Sequence, residues 1–257
     1  EIIHREGDIV ISTAYKSGTT WLLTTVMELL YQNKEKPIDT NQGTWIDLRM
    51  PPIEEQIPLI EAIKDRRMFK SHLRLDCLPY SEKVKYICVC RDGRDVYMSL
   101  LHHYQSTNAY WYNLLSSPGL IGDKIPVYRD VYPNGCFFDD WISKGWPSNE
   151  GETDGYPFWS TFDHVITWWE YRHLPNILLV HYNDMLTDLK GSVREVAEFL
   201  DIPIQEEGFD ELVQSLTFDS MKKNAENNPN IPGILFEGGN NTFMNSGGNG
   251  KWKTVLS

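Results

Sequence analysis

The chain has 257 residues, with 24 Lys and Arg against 36 Asp and Glu, giving a formal net charge of −12. That acidity argues against nucleic acid or an anionic membrane surface as a partner, since both demand a net supply of basic side chains. No apolar run reaches the ~20 residues that span a bilayer, and four cysteines do not make a disulfide framework at this length, so a reducing cytoplasm is the expected setting.

Taken in chain order, Asp8-Ile9-Val10-Ile11-Ser12-Thr13 places a first strand over Ile9 to Thr13, and the apolar period from Thr19 to Tyr31 a helix. Between them stands Lys16-Ser17-Gly18-Thr19-Thr20-Trp21. A tight loop there aims successive backbone N–H groups past a helix N-terminus, where the dipole favours an anion such as phosphate. With Gly18 on the second glycine of G-x-x-x-x-G-K-[ST], Thr13 takes the place of the first glycine and Thr19 that of the lysine. The cation has moved to Lys16, inside the loop, which does not suit a magnesium-bound triphosphate. An ordinary glycine turn opening a helix would need Lys, Ser, Gly, Thr and Thr to coincide by chance.

Residues 33 to 52 read as a polar connection with Pro37, Gly43, Pro51 and Pro52. A helix over Ile53 to Lys64, interrupted or capped around Pro58, precedes a short strand over Arg67 to Lys70, and His72 follows two residues later. Lys85 to Cys90 is the clearest interior strand and ends at Arg91. Cys88 and Cys90 share one face of it, which suits two small buried apolar groups better than a metal site. Arg94 to Tyr104 reads as a helix bearing Ser99. Residues 115 to 158 hold little regular pattern beyond a helix over Phe137 to Lys144, and a stretch that long usually serves as a lid or binding loop. A helix over Phe162 to Tyr171, a strand over Ile177 to His181 and helices around Met185 and over Ser192 to Leu200 follow. Short helices over Glu206 to Ser215 and Ser220 to Ala225 precede an irregular Asn- and Gly-rich tail from Asn227. Strand and helix alternate, which favours an α/β fold with a mostly parallel central sheet and helices on both faces. No linker or repeat interrupts the chain, so residues 1–257 read as one domain.

The string from Ser12 to Trp21 resembles the 5′-phosphosulfate loop of the cytosolic-type sulfotransferases, with Ala14 and Tyr15 in place of a usual Tyr-Pro pair. That family moves a sulfuryl group from 3′-phosphoadenosine 5′-phosphosulfate (PAPS) to an acceptor hydroxyl or amine and releases adenosine 3′,5′-bisphosphate (PAP). The resemblance implies a P-loop-type fold, PAPS as cofactor and no metal. It assigns Lys16, Ser17, Gly18, Thr19, Thr20 and Trp21 to the 5′-phosphate, and His72, in Lys70-Ser71-His72, to the acceptor proton. Lys70 would assist at the sulfuryl oxygens. Imidazole titrates near working pH, as a general base for an alcohol should.

Arg91-Asp92-Gly93-Arg94-Asp95-Val96 with Ser99 resembles the family's grip on the 3′-phosphate, carried by Arg91 and Ser99; the guanidinium fork suits paired phosphate oxygens. Tyr182 and the Thr217-Phe218 pair match positions that wall the adenine, though Tyr182 as ordinary packing is an alternative and a common family Thr is Leu216 here. In the tail the spacing of Phe243, Gly247, Gly250, Trp252 and Lys253 is kept, while a phosphate-clamping Arg-Lys pair is replaced by Asn245 and Ser246. Weaker donor affinity is expected unless Lys251 or Lys253 folds in. Tyr110-Trp111-Tyr112 and Phe158-Trp159 are candidate walls of an apolar, aromatic-lined acceptor pocket under an insertion of about residues 106–158, with a small apolar or aromatic-bearing molecule as partner. At least one of Trp168 and Trp169 is expected in the core. His103 is placed to face that pocket. A catalytically impaired PAP- or PAPS-binding module and a P-loop small-molecule kinase are the competing readings.

Overall fold

A computed structural model describes residues 2–32, 42–48, 51–117, 124–133, 135–146, 151–227 and 232–256. The strands are β1 (Ile9–Thr13), β2 (Thr44–Trp45), β3 (Met68–Ser71), β4 (Lys85–Cys90) and β5 (Ile177–His181), and they form one sheet in the order β2-β3-β1-β4-β5. Every pairing is parallel, so the sheet is more uniform than the mostly parallel one expected. The helices are α1 (Thr19–Leu30), α2 (Ile53–Ala62), α3 (Gly93–Ser106), α4 (Ala109–Leu115), α5 (Tyr128–Val131), α6 (Phe138–Ser143), α7 (Phe162–Glu170), α8 (Tyr182–Thr187), α9 (Leu189–Phe199), α10 (Phe209–Ser215), α11 (Phe218–Lys223) and α12 (Asn240–Phe243).

Alternate residues of a strand point to opposite faces, so a strand buried on both reads as continuously apolar. Ile9 and Ile11 pack with Leu22 and Val26 of α1 and with Met185, Val196 and Phe209 from α8 to α10. Val10 points the other way, into Phe69, Tyr86, Ile60 of α2 and Trp168 of α7. Each such fully buried side chain contributes about 1.5–3 kcal/mol by leaving water. Trp168 is fully buried whereas Trp169 is 56% exposed. A third cluster, mostly aromatic, joins Tyr15 to Tyr97, Tyr104, Trp111, Phe137, Trp141 and Phe158 around α3.

β1 lies between β3 and β4, so the connections after it leave toward opposite sides of the sheet. Parallel α/β sheets bind ligands at such a switch point, outside the carboxyl ends of the strands. The segments that follow β1, β3 and β4 begin at Ala14, His72 and Arg91, and all three meet there.

Several elements differ from their sequence reading. α2 runs through Pro58 without interruption. β2 is a two-residue edge strand inside the polar connection, too short to leave a periodic signal. α4 went unread, although Asn108 caps it by accepting from the Trp111 N–H at 3.0 Å. The tail is less irregular than expected, with 3₁₀ turns at Gly233–Leu235 and Lys251–Thr254 and the short α12 between them. Of the proposed insertion, residues 118–123, 134 and 147–150 lie outside the described residues, as do 33–41 and 49–50 of the polar connection and 228–231 of the tail.

Candidate active site

The loop from Ala14 to Gly18 turns through left-handed backbone at Lys16 (φ 67°) and Gly18 (φ 117°). At Gly18 a side chain is also excluded by space, since a Cβ would stand 2.8 Å from Cδ2 of Tyr182. No side chain caps α1. Its first N–H groups have no carbonyl acceptor within the helix, and the residues that carry them, Thr19, Thr20 and Trp21, line a cavity.

That cavity encloses ≈ 790 Å³. Lys16, Gly18, Thr19, Thr20, Trp21, Lys70, His72, Arg91, Ser99, Tyr182, Phe218, Phe243 and Gly247 all line it. Two of the expected residues do not. The Ser17 hydroxyl is buried beneath the loop, where it meets no hydrogen-bond partner among the described residues. Thr217 caps α11, its hydroxyl accepting from the Ser220 N–H and donating to the Gln214 carbonyl at 2.9 Å. Leu216, in place of the usual threonine, is fully buried and offers its carbonyl to the Trp21 indole N–H at 2.8 Å.

His72 is 2% exposed. Its Nδ1 lies 2.8 Å from the carbonyl oxygen of Thr13. A carbonyl only accepts, so Nδ1 carries the proton and Nε2 presents the lone pair. Burial, reinforced by the Lys70 charge, holds this imidazole well below its usual range and therefore neutral. The His72 backbone N–H donates to Asp47 Oδ2 at 3.0 Å, and burial raises that carboxyl above its ordinary value.

The cations converge without a matching anion. Lys16 is brought down to about 7 by burial and by repulsion from Lys70 and Arg91. Its ammonium donates to His103 Nδ1 at 3.3 Å, which leaves the His103 Nε2–H to donate to the Tyr15 hydroxyl at 3.0 Å. Lys70 lies 3.8 Å above the Trp45 ring and sits at about 8, lowered by burial although Asp47 opposes the shift. Three of the five Arg91 N–H groups engage the frame: they donate to the carbonyls of Lys16 at 3.1 Å and Gly248 at 2.9 Å and to Asn249 Oδ1 at 3.1 Å, with the guanidinium 4.1 Å over the Tyr182 ring. It thereby ties the first loop to the glycine-rich tail. Asp95, the other carboxylate lining the cavity, accepts from the Gly250 N–H at 2.7 Å.

At the tail, Gly247 (φ 63°) lets the backbone press on Phe218, where a Cβ would stand 2.2 Å from the ring, and its carbonyl accepts from the Tyr182 hydroxyl at 3.0 Å. Asn245 and Ser246 line the cavity, as does Lys251, while Lys253 does not. Lys222 donates to the Asn245 carbonyl at 3.0 Å and brings a charge that the motif comparison did not weigh.

This set suits a polyanion: an uncapped helix N-terminus, two lysines depressed chiefly by burial, and Trp21, Tyr182 and Phe218 as aromatic walls. A sulfotransferase domain model matches residues 6–257. The chain belongs to the sulfotransferase family. Among curated sulfotransferases it is 31% identical over 271 residues to a glycolipid sulfotransferase of Mycobacterium bovis, covering 98% of this chain and 81% of the relative. It is likewise 31% identical over 261 residues to sulfotransferase 1A1 of Bos taurus, covering 97% and 78%. The fold is shared with mouse sulfotransferase SULT7A1, crystallised with PAP, at a TM-score of 0.70 and 23% identity over 100% of this chain and 80% of that one. Retinol dehydratase in complex with androsterone and PAP follows at 0.64 and 23%, over 100% and 78%.

Of the aromatic residues expected as acceptor walls, Trp111, Phe158 and Trp159 line the cavity, whereas Tyr110 is 51% exposed and the Tyr112 hydroxyl is engaged with Thr107 at 2.9 Å. Sequence reasoning passed over Tyr15, Trp45, Asp47 and Phe236, which also line it. The signal for Tyr15 was its departure from the family's proline beside Lys16. Trp45 and Asp47 carried none, because β2 is too short to mark them.

Proposed function

We propose that this sulfotransferase moves a sulfuryl group from PAPS to a hydroxyl or amine of a small apolar or aromatic-bearing acceptor, with His72 as general base. The observation that carries the reading is the convergence of Lys16, Lys70, Arg91 and a tautomer-fixed His72 on one cavity. When bound, PAPS supplies an activated sulfuryl group on a phosphate leaving group. Sulfuryl transfer resembles phosphoryl transfer, a loose in-line displacement with charge growing on the leaving oxygen. Lys16 and the α1 N–H groups stabilise that charge at the 5′-phosphate, in a dry site where fixed donors count most. Lys70 faces the sulfuryl oxygens. His72 Nε2 takes the acceptor proton, while Nδ1 stays anchored on Thr13. Arg91 and Ser99 hold the 3′-phosphate, and Tyr182, Trp21, Phe218 and Phe243 enclose the purine side.

Asp47 braces His72 through the backbone. The aromatic lining from Trp45 to Phe236 suits an apolar acceptor, and four free cysteines fit the proposed cytoplasmic setting. No described helix is long and apolar enough to cross a membrane. A second reading, a PAP-binding module without turnover, draws on the neutral Asn245 and Ser246. It is disfavoured by the free lone pair fixed on His72.

The test is transfer from radiolabelled PAPS across a panel of phenols, aliphatic alcohols, sugars and amines, with magnesium-ATP as the control donor. His72→Ala is expected to cut turnover by roughly 10²–10⁴-fold while PAP affinity stays at the wild-type value. Unchanged turnover in that variant removes His72 from the mechanism, and ATP turnover in place of PAPS turnover removes the reading.

A further inference from the structure

The nitrogen that would accept the proton is shut off from solvent. His72 Nε2 is buried and meets no hydrogen-bond partner among the described residues. Buried polar atoms are nearly always paired, so an unpaired one at a reactive site asks for a cause. Three rings of the chain enclose this imidazole. Tyr15 and Trp45 stand edge-on to it, each with its centroid 4.9 Å away. Trp159 lies across its face at 5.7 Å and 28°. The same indole is 5.5 Å from Tyr15 and 5.9 Å from Trp45, so it fills the box that the other rings form with His72.

The three rings are not held alike. Tyr15 is nearly buried, its hydroxyl fixed by His103 and its face stacked on Phe158 at 5.3 Å. Trp45 belongs to β2 and carries the Lys70 ammonium on its face. Trp159 sits in the segment that leads into α7. The backbone beyond it is pinned by Asp154, which accepts from the N–H groups of Thr161 at 2.8 Å and Phe162 at 3.1 Å, and Phe158 before it is buried. The Trp159 side chain itself is only half-buried.

We infer that Trp159 is a displaceable plug of the ring box around His72, which keeps water from the base until an acceptor takes the indole's position. This inference rests on His72 serving as the base in the proposed reaction. Its chemical consequence concerns water as a wasteful acceptor. In that side reaction the water oxygen bonds to sulfur as the bond from sulfur to the bridging phosphate oxygen breaks. The water proton passes to His72 Nε2, and the products are sulfate and PAP. A closed site suppresses such leakage by excluding water. Trp159 thus decides what reaches the base: a flat apolar group that can replace an indole enters, and solvent does not.

The test begins with the protein alone. Diethyl pyrocarbonate attacks an accessible imidazole lone pair, and its rate at each histidine is read by peptide mass spectrometry. Wild-type His72 is expected to react about tenfold or more slowly than the exposed His173. Trp159→Ala should bring His72 to within about threefold of His173, and Trp159→Phe, which keeps a ring, should restore most of the protection. The second arm follows PAP release from PAPS with no acceptor present. Trp159→Ala should raise it about tenfold, and adding His72→Ala should abolish the gain. Calorimetry with PAP reports that each variant keeps its fold and donor site. Wild-type His72 reacting as fast as His173, or staying equally protected in Trp159→Ala, overturns the inference. Failure of the functional reading looks different: the wild-type protein binds no PAP, whatever the rate at His72.

Discussion

Lys16 makes donor affinity depend on pH to an extent that follows from its surroundings. Burial first, then repulsion from Lys70 and Arg91, brings its ammonium to about 7 instead of the 10.5 of an exposed lysine. Lys70 sits at about 8. At pH 8 the free protein therefore holds about one-tenth of a proton on Lys16 and about half of one on Lys70. A phosphate in the cradle favours the charged form of both, so both values rise in the complex. The bound state then holds more protons than the free state, and binding weakens as pH climbs. With both lysines fully charged in the complex, PAP binding at pH 8 takes up about 1.4 protons, and affinity falls about 25-fold per pH unit around that point. At pH 6 uptake by the lysines is only about 0.1 proton. Phosphate second ionisations lie near 6, so the slope above pH 7 belongs to the lysines. Calorimetry in two buffers of different ionisation enthalpy measures the uptake directly. Lys16→Arg stays charged throughout and should lower uptake at pH 8 to about 0.5 proton. Equal affinity at pH 6 and pH 9, with no proton uptake at pH 8, would refute the placement of these lysines at the anion.

Two further outcomes concern the tail and the frame. Asn245→Arg should return a charge to the phosphate side and tighten PAP binding by about 1.5–3 kcal/mol; a gain that is absent at low salt shows that position 245 does not face a phosphate. Arg67 is fully buried and forks onto Asp8 at 2.9 and 2.6 Å while reaching Glu61 at 2.9 Å. Arg67→Met leaves Asp8 without its partner and should cost about 3–5 kcal/mol in urea denaturation; a loss under about 1 kcal/mol contradicts the reading. Burial alone would raise the Asp8 carboxyl, but the His4 imidazole 3.7 Å away and hydrogen bonds from Arg67 and the Arg5 backbone N–H outweigh it and hold it at about 2. The folded value is depressed, so its stabilisation of about 2 kcal/mol is present above pH 4 and lost as pH falls toward 2, a dependence that Arg67→Met should flatten.

The strands that position the site were legible because burial on both faces makes them continuously apolar. The ranges of β1, β4 and β5 match their sequence reading, and β3 is displaced by one residue. Lys16, Arg91 and their neighbours in the cavity lining were legible because anion-binding loops leave short motifs: a loop between strand and helix, and an Arg at a strand end. Thr217 shows the limit of matching by motif, since its hydroxyl is already committed to capping a helix. The aromatic part of the cavity left weaker marks. Tyr15, Trp45, His103 and Trp159 come from four separate segments and meet only in the fold. An aromatic residue bears no sign of whether it fills a core or walls a cavity; Trp168 and Trp159 do one each. The pairing of His103 with Lys16 depends on α3 facing the loop after β1, which no local pattern encodes.

The account turns on an anion cradle after β1 that holds the donor beside a neutral imidazole. Crystallography of the complex with PAP measures this most directly. The expected map places the 5′-phosphate oxygens within hydrogen-bond distance of the first α1 N–H groups and the Lys16 ammonium, with the 3′-phosphate near Arg91 and Ser99 and the His72 ring on the 5′ side. PAP bound elsewhere on the protein, or with its 5′-phosphate turned away from Lys16 and His72, would contradict it.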